Sequence, residues 1–255
     1  MERRTAQQAS NKANVILLGI VSFINDTSSK IIVPILPLFI AQLGGGGLAV
    51  GLTAGLSDST ASLAKLFAGY WSDRLGRRKP FVLAGYALSA LAKLMLAVVG
   101  SWQQVMGLRV VERLGKGVRS APRDAILAAS TEKRTRGRGF GLHRAMDSGG
   151  ALLGTLLVIV FFWLFGLSFV QIFLIAGLLG FASLLPLWFV RERDNGRSTA
   201  PPRLQLAALP QPLRRFMLIA FIYALANFSY MFFVLRAEGL FEERLAVVVP
   251  LLLYA

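Results

Sequence analysis

Long runs built mostly from apolar residues alternate along the chain with short polar or glycine-rich breaks. The runs cover residues 15–43, 48–70, 81–99, 104–129, 140–165, 169–190 and 213–235. Most reach or exceed the ~20 residues that a helix needs to cross the hydrocarbon core of a bilayer. Backbone groups in lipid must bond within their own segment, so such runs predict helices. The first run is longer than a span requires and contains Pro34 and Pro37, which predict a kink. Gly44 to Gly47 forms the turn after it, and the short apolar run 245–255 stops before it can span. The expectation is an all-α polytopic membrane protein with seven to eight transmembrane helices.

Composition supports lipid as the solvent. Of 255 residues, 55% are hydrophobic and only 16% are charged, where a soluble domain would be about one quarter charged. The mean hydropathy is +0.60. The net charge of +15 would suggest a nucleic-acid ligand in a soluble chain, but its distribution argues against one. Lys and Arg gather in alternate connections: Arg3, Arg4 and Lys12, then Arg74 to Lys79, then Lys133 to Arg138, then Arg191 to Arg215. The intervening connections near Gly44, Ser101 and Gly166 have none. This is the positive-inside pattern. It places the N-terminus and the basic loops in the cytoplasm, beside anionic headgroups of the inner membrane. A cleaved signal peptide fits poorly, because the first run continues past Pro37 and carries Asn25, Asp26 and Lys30. With no cysteine and His143 as the single histidine, neither a metal site nor a cofactor is expected. A phosphate-binding loop of the Gly-x-x-x-x-Gly-Lys-Ser/Thr type is absent from the sequence, so an ion gradient is the expected energy source.

Charge inside a span costs about 2.5–3.5 kcal/mol per residue on insertion scales, so each instance is a functional hypothesis. The run 104–129 concentrates it. Arg109, Glu112, Arg113, Lys116, Arg119 and Arg123 recur at helical spacing and share one stripe. The stripe must face a bundle interior or a wet cavity, with Glu112 partnering Arg109, Arg113 or Lys116. Arg119 and Arg123, near the cytoplasmic end, are expected to reach out to headgroups. In the first run Asp26 and Lys30 stand one turn apart; they either neutralise each other or leave Asp26 as a proton or substrate site. Asp58 is a second acidic candidate, Lys65 shares its helix face, and Lys93 is read as snorkelling or internally paired. His143 and Asp147 are one turn apart, either a pair that titrates near neutrality or the site of a plain interhelical hydrogen bond. Gly150 and Gly154 form a small-xxx-small pair that permits close helix packing.

The stretch from Gly69 to Pro80 reads as a tight basic turn, and its residue order is specific. Gly69, Asp73, Arg74, Gly76, Arg77, Arg78 and Lys79 resemble the signature loop between the second and third helices of major facilitator superfamily (MFS) transporters. Arg109 and Gly115 resemble a fourth-helix motif whose Arg is linked to proton transfer in proton-coupled relatives. Arg113 stands where that motif has its first Gly, which weakens the expectation of close packing there. The segment from His143 to Gly154 loosely resembles the antiporter motif of exporters, without its Pro, and tilts the reading towards export. Asn25-Asp26-Thr27-Ser28-Ser29 and the run from Lys116 to Ala125 are similar to one prokaryotic branch without an assigned substrate. Similar proteins commonly carry Glu where Lys30 stands.

The resemblance implies two six-helix halves related as parallel repeats. Residues 1–190 would form the N-terminal bundle, 191–212 a cytoplasmic linker, and 213–255 an incomplete start of the second bundle. A faint echo of Asn25 and its neighbours around Asn227 supports the repeat. The implied function is secondary active transport of an unidentified small molecule by alternating access, coupled to protons, across the inner membrane. Substrate and proton pathway candidates are Asn25, Asp26, Lys30, Asp58, Arg109, Glu112, Arg113, His143 and Asp147. Gly69, Asp73, Arg74, Gly76, Arg77 and Arg78 form the conformational-switch loop, with Asp73 engaging the second half. The competing reading is a truncated, non-transporting membrane protein, a half-transporter or an accessory subunit that lacks its other half. A membrane enzyme ranks third, since no nucleophile–base pair stands out.

Overall fold

The computed structural model describes residues 2–192, 209–226, 229–238 and 240, and the regular elements among them are all helices. In chain order these are α1 (Glu2–Ile32), α2 (Leu36–Gln42), α3 (Gly47–Leu75), α4 (Lys79–Met95), a 3-10 turn (Leu96–Val98), α5 (Trp102–Ala129), α6 (Arg136–Trp163), α7 (Phe169–Ala182), α8 (Leu184–Trp188), α9 (Gln211–Ala226) and α10 (Met231–Glu238).

Several boundaries differ from the sequence expectation, each for a physical reason. The kink at the prolines is a full break: α1 stops at Ile32, and Pro37 sits in the first turn of α2. The polar segment before Lys12 is helical and belongs to α1. The supposed turn from Gly69 to Pro80 is mostly helix. α3 runs on to Leu75 and ends on Gly76, whose φ of 66° suits a left-handed cap, and α4 starts at Lys79. The run 169–190 breaks at Ser183 into α7 and α8, and a Ser168–Gln171 capping box opens α7. The run 213–235 divides into α9 and α10, and α10 continues beyond the run to Glu238. Most of the expected linker, Asn227 of the internal echo, and the run 245–255 lie outside the described residues.

The helices pack in the order α3, α5, α4, α7, α1, α6, with α3 and α6 at the two ends of the series. Apolar packing gains little drive in lipid, so close contact depends on small residues. A Cβ on Gly115 of α5 would stand 2.6 Å from the Gly85 carbonyl oxygen of α4, and the reverse holds for Gly85. Close packing is therefore present at the fourth-helix motif despite Arg113. Gly150 and Gly154 lie against the Phe23 and Thr27 carbonyls of α1, which bears out the small-xxx-small reading.

Two apolar clusters close the ends of the bundle. One joins Ile31, Phe39, Val50, Leu96, Val105, Val158 and Phe173; the other joins Leu18, Val21, Val82, Tyr86, Ile126, Leu127 and Leu187. Between them lies a belt of polar and charged groups. Among the described residues, four segments are long and apolar enough to cross a membrane by length and composition: Ser10–Gln42, Lys79–Val98, Arg136–Trp163 and Phe169–Trp188. α3 and α5, with 29 and 28 residues, reach roughly 40 Å at ~1.5 Å per residue. Gly, Ser and Thr dilute the first, and the belt charges load the second.

Candidate functional site

α5 divides the belt in two. On its α4 side the charges are buried. Arg109 donates through Nη1 to Glu112, while its Nε and Nη2 have no acceptor among the described residues. Lys93 of α4 is fully buried and donates to Ser28 Oγ at 2.9 Å and to Asn25 Oδ1 at 3.4 Å. Arg119 lies 4.4 Å from the Tyr86 ring centroid and donates to Ser89 Oγ at 2.7 Å. Ser89 in turn donates to the Glu112 carbonyl at 2.9 Å. The expectation that Arg119 reaches headgroups is thus corrected: an aromatic face and a hydroxyl hold it inside. Lys93 is internally bonded, and its partners are neutral.

On the other side the charges border open space between α1, α3, α5 and α6. The Asp26 carboxyl of α1 lies within hydrogen-bonding reach of the Asp147 carboxyl of α6. A hydrogen bond between two carboxyl groups needs a proton on one of them. Lys116, Arg119 and Arg123 of α5 bear on Asp26 electrostatically, and Asn25 Nδ2 donates to its Oδ1 at 3.2 Å. Arg144 binds Asp147 at 3.1 Å. Arg113 reaches Asp58 of α3 at 3.6 Å, linking two candidates through an exposed carboxylate. Lys30 packs with its Cβ beside Gly154.

Of the two readings of His143, the titrating pair with Asp147 does not form, and the ring makes an interhelical hydrogen bond instead. His143 Nε2 stands 3.0 Å from Ser22 Oγ, and Arg144 holds Asp147 instead. Residues four apart share a helix face, but the neighbouring α1 offers His143 a nearer partner. Arg123 likewise turns inward, to Asp124 at 3.0 Å and to Ser22 Oγ at 3.2 Å, rather than out to lipid.

At the basic end, Asp73 pairs with Arg78 at 2.9 Å, and Arg74 Nη1 donates to the Tyr70 hydroxyl at 3.3 Å. Gly69 faces Ala121 across the α3–α5 contact, and Arg77 is exposed. Sequence reasoning missed the next layer. The backbone N–H groups of Arg78 and Lys79 both donate to the Glu192 carboxylate, which caps α4. Lys79 Nζ donates to the carbonyls of Trp188 and Val190 at 2.8 and 2.7 Å. Asn14 of α1 exchanges hydrogen bonds with the Arg191 backbone at 2.7 and 3.0 Å. An acidic residue inside a basic run and an amide at the edge of a span were the available signals.

Membrane-length helices wrapped around a charged interior define a polytopic membrane protein. The chain belongs to the Major Facilitator Superfamily, whose family model matches residues 18–252. It is 42% identical to an uncharacterized MFS-type transporter of Methanocaldococcus jannaschii, over 100% of this chain and 67% of that protein. It is 30% identical to the multidrug resistance protein MdtH of Aeromonas hydrophila, over 72% of this chain and 43% of the relative. The fold matches that of the POT family transporter PepTSo with a TM-score of 0.64 at 14% identity, over 94% of this chain and 50% of that one. The chain thus spans two thirds of the first relative and about half of the other two proteins.

Proposed function

We propose that the chain supplies the first six-helix bundle (1–190), a cytoplasmic linker (191–212) and the start of a second bundle (213–255) of a proton-coupled secondary transporter. The transporter works by alternating access in the inner membrane, with its N-terminus in the cytoplasm, and moves a small molecule outward. A complementary bundle faces α3 and α6 and completes the path.

The juxtaposition of Asp26 and Asp147 on two different helices carries this reading. One proton satisfies the pair, and drawing the carboxyls apart or bringing a cation between them releases it. Lys116 and Arg113 place positive charge beside the same space, so occupancy of the site and protonation of the pair influence each other. Asn25, Lys30, Asp58 and His143 line or buttress the pathway. Arg109 and Glu112 set the field behind it. The Gly69–Arg78 segment is the conformational switch, with Asp73 exchanging Arg78 for a partner in the second bundle. The name of the Aeromonas relative, a multidrug resistance protein, supports a drug-like substrate.

Proteoliposomes containing the full protein and a trapped pH-sensitive dye test this directly. Addition of members of a panel of amphiphilic drugs and organic ions is expected to move protons. Asp26→Asn and Asp147→Asn are each expected to lower that flux about a hundredfold, the scale of a lost proton-transfer group. Substrate flux that persists unchanged after an ionophore collapses the pH gradient would sink the coupling.

A further inference from the structure

A groove of about 470 Å³ opens between the beginnings of α1 and α6, away from the carboxyl pair. The two membrane-length segments Ser10–Gln42 and Arg136–Trp163 both start here, so the groove lies where headgroups meet hydrocarbon. Its chemistry is graded along that direction. Lys12 and Arg138 stand exposed at the wet end. Ile16 and Leu142, about half exposed, face the apolar end, and Val15 forms the buried floor. Gly139 lets the α5–α6 connection close against the groove, because a Cβ there would collide with Thr131.

We propose that this groove seats the headgroup of an anionic phospholipid of the phosphatidylglycerol class, with the acyl chains running over Ile16 and Leu142. The two cations and the Glu132 carboxylate that also lines the groove sum to one positive charge, the complement of a phosphodiester. A zwitterionic headgroup, neutral overall, pairs its phosphate with one cation and its ammonium with Glu132 and leaves the second cation unmatched. Thr135 and Ser130 add hydroxyls suited to a glycerol headgroup. The bound lipid bridges α1 to α6, the two helices that carry Asp26 and Asp147. The site stands on the groove's geometry and charge and does not depend on the transport reading.

Native mass spectrometry of the full protein, released from nanodiscs of equal phosphatidylglycerol and phosphatidylethanolamine, reads the proposal. Preferential retention of phosphatidylglycerol is expected. The pair Lys12→Gln and Arg138→Gln should lower it about tenfold, given the usual worth of a basic residue at an anionic surface. Lys12→Arg with Arg138→Lys should keep it. The charge-matched pair Lys133→Gln and Arg134→Gln, exposed on the same connection outside the groove, should change it little. Equal retention of both lipids, equal loss in the control pair, or displacement by soluble glycerol phosphate at comparable concentration would overturn the site. Because these lipid readouts need no substrate, the site can fail while transport stands, and the reverse.

Discussion

The two faces of α5 carry similar residues under opposite conditions. Towards α4, Arg109, Glu112, Arg119 and the neighbouring Lys93 are sealed from solvent and bonded to fixed partners. Towards α1, α3 and α6, Arg113, Lys116, Asp26, Asp58 and Asp147 border open space. Charge on the sealed face is committed to one geometry, because any lost partner leaves an ion in a low dielectric. On the open face, water screens a partner's departure, so pairings can change. Intramembrane charge in this protein is therefore of two kinds, one sealed and one open to exchange.

The largest effect should come from the sealed face. Glu112→Ala leaves Arg109 buried without its counter-charge, which should cost about 3–5 kcal/mol of stability. Thermal unfolding in detergent reads this, and a melting temperature equal to that of the wild type would erase the distinction between the faces. Next come Asp26→Asn and Asp147→Asn, each with a loss of proton flux of about a hundredfold and little change in melting. Loss of folding in both would move the carboxyl pair to the structural side.

Gly115→Val tests the packing that separates the two faces. Its side chain must push the Gly85 backbone away, at about 1–3 kcal/mol. Cross-linking between cysteines placed on exposed positions of α4 and α5 should weaken in parallel. The smallest effect belongs to Asp58→Asn. It removes an exposed partner of Arg113 and should change stability by less than about 1 kcal/mol. A drop as large as that of Glu112→Ala would show that the open face is not open.

Much of the helical plan is legible in the sequence because it depends on local features. Run length marks the spans, Pro34 and Pro37 mark the break, and Gly150 with Gly154 marks a close approach. The Arg109–Glu112 pair is also legible, since three residues along a helix return to one face. Pairings between helices are not. Spacing alone pairs His143 with Asp147, yet Ser22, more than a hundred positions away, holds it. Proximity to a helix end points Arg119 and Arg123 towards lipid, and sequence alone does not show Tyr86, Ser89 and Ser22 waiting inside. The meeting of Asp26 with Asp147 depends on the rotation of α1 against α6. That rotation is set by where carbonyls fit onto glycines, which a periodic pattern does not encode.

The staple around Glu192 fixes a boundary for motion. The chain leaves α8 tied to α1 through Asn14 and to the start of α4 through Lys79 and the Glu192 carboxylate. Under the proposed alternating-access cycle, a swing of a second bundle relative to this one would have to leave Glu192 in place, as a leash turns about its post. Shortening the tether after the post should restrict the stroke, whereas freeing the post should lengthen it.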